Sequence, residues 1–241
     1  MKHGTVDQHA RSSSFFHVDP RAKVVGFVFT VVVVALLRDL APLLIVLVFV
    51  IFLILLSNIP PGHIFKRYTM ALPFILIASA SLYLYSGTIT SLAMFLRVSS
   101  CVLLLVLLSS STPFFDLLRA SQRLGMPRLI IILMMFMYRY IFVFTEEYQR
   151  MRMARSARGF SGGKHLLDKR AMMALSSTAG MLLVRAYQRG TRIYDALLCR
   201  GYDGKIRTLT NMHLAPMDIA FSCDVMLFSL FILWIDWLVI V

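Results

Sequence analysis

Residues 146–204 read EEYQRMRMARSARGFSGGKHLLDKRAMMALSSTAGMLLVRAYQRGTRIYDALLCRGYDG, and one pattern occurs in them twice. Superposing Arg158 on Arg200 aligns Arg150 with Arg192, Ala154 with Ala196, Gly159 with Gly201 and Phe160 with Tyr202. Arg, Ala and Arg at i, i+4 and i+8 share one helix face. Each copy ends Arg-Gly-aromatic, with glycine where helices commonly stop. A single Arg-Gly reads as a helix C-cap whose arginine is favoured by the negative end of the helix dipole. Two copies sharing an upstream Arg and Ala read as paired docking prongs, each offering a guanidinium to a partner.

The surroundings of this stretch are apolar. The chain has 241 residues, 59% hydrophobic and 15% charged, with a mean hydropathy of +0.76; a soluble domain is nearer half apolar and about a quarter charged. Several apolar runs approach the roughly 20 residues a membrane helix needs, so the chain reads as a polytopic membrane protein. Its net charge of +13 is concentrated: residues 113–214 hold 17 of the 25 Lys+Arg and 6 of the 12 Asp+Glu. A basic domain can bind nucleic acid. Between membrane spans the positive-inside rule accounts for the charge instead, and places 113–214 in the cytoplasm with no nucleic-acid partner.

In chain order, residues 1–18 form a polar cytoplasmic tail, with His3, His9 and His17 in no ligand spacing. Asp19 and Pro20 read as N-cap and first residue of a helix. Residues 19–112 hold four spans, near 24–37, 40–57, 69–86 and 89–111, with Lys66 and Arg67 in an inner loop and Arg97 inside the fourth span. Thr112-Pro113 starts a short amphipathic helix closed by Gly125 and Pro127. Two long helices, about 128–159 and 168–201, then lie along the cytoplasmic face. The 17 residues of 129–145 reach roughly 25 Å, less than the roughly 30 Å hydrocarbon core. An outward crossing there would also carry Arg150, Arg152, Arg155, Arg158, Lys164, Lys169 and Arg170 outside. Crossings by both 129–145 and 172–187 are the alternative. The segment 215–241 adds a C-terminal transmembrane helix. The expected fold is all-α and polytopic: about five transmembrane helices plus a basic cytoplasmic module, 113–214, of one short and two long coupling helices.

Catalytic motifs are missing. The nearest approach to a phosphate-binding loop runs from Arg158 to His165, but it has Arg where a Walker A loop needs its first Gly and His where it needs Ser or Thr. HExxH, CxxC and nucleophile-elbow patterns do not occur. Cys101, Cys199 and Cys223 are too far apart to suggest a metal cluster or a disulfide framework. Glu146 and Glu147 read as a solvated ion-pair face. Nine of the 15 Met fall between Met126 and Met181, either as adaptable core filler or as a surface that re-packs against a partner. No enzyme activity, cofactor or metal site is expected of this chain.

Ala157-Arg158-Gly159 and Cys199-Arg200-Gly201 resemble the two Ala-Arg-Gly signatures of the transmembrane T component of energy-coupling factor (ECF) transporters. Asp19-Pro20-Arg21-x-Lys23 and the segment from Thr112-Pro113 to Leu124-Gly125-Met126-Pro127 are also similar to that family, and the likeness runs from about residue 15 to the last helix. Cys199 departs from the usual Ala or Ser. Within the family the chain looks closest to CbiQ, the cobalt type, or its nickel counterpart. The resemblance implies a subunit in the cell membrane that links two cytoplasmic ATPase subunits to a substrate-binding membrane (S) subunit. It implies that Arg158 and Arg200 insert into the ATPases, with Arg150, Ala154, Arg192 and Ala196 supporting them. Other readings are a T component of a vitamin importer, a stand-alone membrane enzyme acting on lipid head groups, and an anchor holding its basic face on anionic lipid.

Overall fold

In the computed structural model, residues 19–37, 39–57, 59–159, 169–202 and 216–240 are described. Among them the chain forms eight helices: α1 (Pro20–Leu36), α2 (Leu40–Leu56), α3 (Pro61–Ser86), α4 (Thr88–Ser111), α5 (Phe114–Arg123), α6 (Arg128–Ala157), α7 (Lys169–Cys199) and α8 (Pro216–Ile240). The protein is an all-α polytopic membrane protein. By length and composition, α3, α4, α6 and α8 can each cross a bilayer, and α2 is a shorter apolar helix. The chain divides into two compact units, Met1–Met126 with Thr210–Val241, and Pro127–Leu209.

In the first unit α4 is central, packing on α1, α2 and α3. Its buried Ala93, Leu96, Ser100, Leu104, Leu107 and Ser111 recur every three or four residues, which puts them on one face. The α2 residues Leu43, Val46, Val50 and Leu53 repeat that spacing and join the same core. Gly26 of α1 lies against Val225 of α8, where a Cβ on the glycine would make ordinary contact with a Val225 methyl carbon at 3.7 Å. Phe49 of α2 stacks on Phe228 of α8 with ring centroids 3.8 Å apart.

Polar groups fix the ends of this bundle. Asp19 caps α1, its carboxylate accepting from the Arg21 N–H at 2.9 Å, and Pro20 fills the first turn as expected. The Asp19 N–H donates to Asp218 Oδ1 at the start of α8, 3.0 Å away. Lys23 is 1% exposed and lies in the field of Asp19, Asp116 and Asp218, which gathers the starts of α1 and α8 and the helix α5 at one end. At the other end the Asp39 N–H donates to Asp236 Oδ1 at 3.1 Å, and Arg97 Nη2 donates to the Leu37 carbonyl. The arginine inside the fourth span therefore faces protein, tying α4 to the end of α1.

Three boundaries differ from the sequence reading. Lys66 and Arg67 stand inside α3 rather than in a loop, because Pro60-Pro61 lets the helix begin at Pro61. Arg67 reaches the Ser110 hydroxyl on α4 at 3.1 Å. Thr112 ends α4 and Pro113 takes the N-cap position of α5, so the short helix starts at Phe114. The long helices end at Ala157 and Cys199, two residues before the expected ends.

Candidate coupling site

The second unit is built on α6 and α7. Three contacts show that they run antiparallel. Arg155 Nη1 near the end of α6 donates to the Ala174 carbonyl near the start of α7, at 2.8 Å. Glu147 pairs with Arg185. The first half of α6, from Ile132 to Phe144, shares an apolar groove of about 460 Å³ with residues from Ala186 to Tyr202. Glu147 is thus an interhelical tie rather than part of a solvated face.

Both Arg-Gly ends are helix caps of one design. Gly201 has φ +73°, its N–H donates to the Leu198 carbonyl at 2.9 Å, and the Tyr202 N–H reaches back to Leu197 at 3.0 Å. This is a complete Schellman motif, which satisfies carbonyls the helix would otherwise leave open. At the other tip Gly159 has φ +81° and its N–H donates to the Ser156 carbonyl at 3.0 Å. An L side chain rarely adopts such a φ, so glycine is the residue each turn asks for. Phe160 and Lys164, which the sequence reading also used, lie outside the described residues.

All ten predicted site residues are exposed: Arg150, Ala154, Ala157, Arg158 and Gly159 at one tip, and Arg192, Ala196, Cys199, Arg200 and Gly201 at the other. Among the described residues, no side-chain hydrogen bond or ion pair engages Arg158 or Arg200. Because the helices are antiparallel, the structure does not bring the two sets together; it puts them at opposite ends of the pair. Arg155 meets Ala174, so the first tip lies level with about residue 171, on the order of 40 Å along α7 from Arg200. Two exposed arginines, one at each end of the helix pair, can engage two separate acceptors at once.

Sequence reasoning passed over the ties that hold these tips. Arg155 and Arg185 were two among many arginines, and nothing in their spacing distinguished them. Asp218 carried a readable signal, since an aspartate two residues after Pro216 stands in the first turn of a mostly apolar helix. Among the described residues, no group of three or more His, Cys, Asp or Glu could hold a metal ion.

A bundle of apolar helices with a polar clamp at each end, four of its chain's helices long and apolar enough to cross a bilayer, makes this a membrane protein, and its family makes it the membrane component of a transporter. The chain belongs to the cobalt transport protein family CbiQ, whose sequence profile matches residues 81–212 and so spans both Arg-Gly ends; it is a T component of the ECF type. It is also similar to two proteins of Methanocaldococcus jannaschii. Uncharacterized protein MJ1089 is 26% identical over 99% of this chain and 94% of its own length. Uncharacterized protein MJ1571 is 27% identical over 90% of this chain and 79% of its own length.

Proposed function

We propose that this chain is the energy-coupling subunit of an ATP-driven importer for cobalt or nickel ions. Two cytoplasmic ATPase subunits dock on its arginine tips, and a substrate-binding membrane subunit takes the cargo. Arg158 and Arg200 enter acceptor grooves on the ATPases, each making charge-assisted hydrogen bonds of the kind that anchor a binding hot spot. Arg150 and Ala154 on α6, and Arg192 and Ala196 on α7, support the tips from along the helices, the latter two from the wall of the groove between them. The observation that carries this reading is the placement of two equivalent, exposed Arg-Gly caps at opposite ends of one antiparallel helix pair. Closure of an ATPase dimer changes the distance between its two docking grooves, and a helix pair gripped at both ends converts that change into motion. ATP is bound and hydrolysed by the partners. The choice of cargo rests on the family's description as a cobalt transport protein.

The first unit supports a cytoplasmic place for the coupling helices. Lys23 draws Asp116 and Asp218 to the end of the bundle where α1 begins. The chain thus leaves this unit after α5 and re-enters it at α8 on the same end. Residues between them cross the membrane an even number of times, and no crossing at all agrees with the charge of 113–214. The exposed Met134, Met153, Met172, Met173 and Met181 offer an adaptable surface to a moving membrane partner.

The experiment is copurification from mild detergent after Arg158→Glu and Arg200→Glu are combined. Membrane insertion stays intact while both ATPases are lost, since removing a desolvated charge partner costs about 2–5 kcal/mol per tip. A double variant that still brings down both ATPases at wild-type yield excludes the docking role.

A further inference from the structure

The groove between α6 and α7 is divided by chemistry along its length. Its larger part is an apolar trough of about 460 Å³, with Ile132, Phe136, Tyr140, Ala186, Gly190 and Leu197 in its walls. A second cavity of about 360 Å³ adjoins it, lined by Glu147, Arg185, Gln188, Arg189 and Arg192. The two share Phe144, Arg189 and Ile193, so they form one continuous channel. Glu147 is paired with Arg185. Among the described residues, that leaves the guanidiniums of Arg189 and Arg192 with no acidic partner.

We propose that this groove binds one anionic phospholipid, its phosphate on Arg189 and Arg192 and an acyl chain in the trough. A partner helix would need polar and apolar residues interleaved along the same face. Here the charges gather at one end: along α6 the lining runs from Glu147 through Phe144 to Tyr140, Phe136 and Ile132, and on α7 from Arg185, Arg189 and Arg192 to Tyr194 and Leu197. That is the pattern of an amphiphile with charge at one end and hydrocarbon beyond it. Basic pockets between helices of membrane proteins take anionic head groups in this way, and the exposed Leu129, Leu133, Met137 and Ile141 of α6 suit a helix lying at the lipid surface. A phosphate between two guanidiniums gains bidentate, charge-assisted bonds that a neutral head group cannot supply. The bound lipid would fill the gap between the coupling helices and stiffen the pair between its tips.

Gly190 provides a selective test. A Cβ added there meets nothing within 4 Å, so the side chain of Gly190→Leu starts in open space and narrows the trough that Gly190 lines. The full chain, purified in detergent, is supplied with dioleoylphosphatidylglycerol or dioleoylphosphatidylcholine, and retained lipid is counted by native mass spectrometry. The wild type should hold one phosphatidylglycerol in roughly tenfold preference to phosphatidylcholine. Arg189→Gln with Arg192→Gln should lose the preference, and Gly190→Leu should lose the lipid. Equal retention of the two lipids overturns the proposal. So does displacement by millimolar inorganic phosphate, which marks a free-anion site, or retention unchanged in Gly190→Leu. A wild-type chain that retains no lipid, its groove instead protected by a copurifying membrane subunit, assigns the groove to that protein and equally overturns it.

Discussion

The backbone N–H of Asp19 donates to a carboxylate oxygen of Asp218, 3.0 Å away and 199 residues later in the chain. Asp39 and Asp236 repeat the arrangement at the opposite end of the same two helices, at 3.1 Å. The last helix therefore runs parallel to the first and clamps the entrances to α1 and α2 with Asp218 and Asp236. A carboxylate accepting a backbone N–H in a dry site is worth more than at the surface, because the helix entrance otherwise keeps an unsatisfied donor.

Asp218→Ala should lower stability by about 1–3 kcal/mol, the penalty for an orphaned buried donor. For a chain of this length each kcal/mol corresponds to roughly 2–4 °C in the melting midpoint. Asp218→Asn keeps an amide oxygen to accept the bond and should cost less. Thermal unfolding in one detergent compares the three proteins. Equal midpoints for Ala and Asn would show that the accepting oxygen is not what matters.

Lys23 stands buried among Asp19, Asp116 and Asp218. Lys23→Met keeps the length of the side chain and removes the buried cation that acts on all three carboxylates, leaving Asp19 to Arg21 and Asp116 to Arg119; breaking a buried charge set from one side costs about 3–5 kcal/mol. Adding Asp116→Asn removes one of the three carboxylates and should restore a measurable share of the loss. Chemical cross-linking between α1 and α5 follows the same order, since that cluster holds α5 to α1. A double variant less stable than Lys23→Met alone would contradict this account.

The repeat at 158 and 200 was legible because it is local: a C-cap is written in four or five consecutive residues, and both copies form caps with positive φ at the glycine. The count and order of helices were legible for the same reason, from apolar runs broken at Asp39, Pro60-Pro61 and Gly87. What stayed hidden depends on residues far apart in the chain. Nothing near Asp218 names Asp19 as its donor, and nothing near Glu147 names Arg185. Arg67 stands in a helix and not in a loop because its long side chain lets the helix pass while the guanidinium reaches Ser110.

Glycines of α7 and its cap should respond with opposite signs. Gly201→Ala forces a Cβ into φ +73°, at a cost of about 1–2 kcal/mol, and loosens the turn that presents Arg200. Gly180 lies within α7 with open space around its Cβ, so Gly180→Ala should stabilise by about 0.5–1 kcal/mol. Thermal midpoints give the signs, and ATPase copurification should fall only for Gly201→Ala. Loss of docking in both variants would mean that α7 tolerates no added side chain, and the cap argument would fail.

The separation of the two tips makes a further claim about stoichiometry. If each arginine serves its own ATPase, Arg158→Glu and Arg200→Glu are independent lesions joined only through avidity, because a complex held at two points loses far more than the sum when both go. Each single variant should keep partial ATPase yield, reduced most under dilute conditions. At those dilutions native mass should reveal a species carrying one ATPase, and the double variant should carry none. Single variants that each lose both ATPases completely at every concentration would instead mean that the two tips grip as one unit, with a pre-formed ATPase dimer recognised all or none.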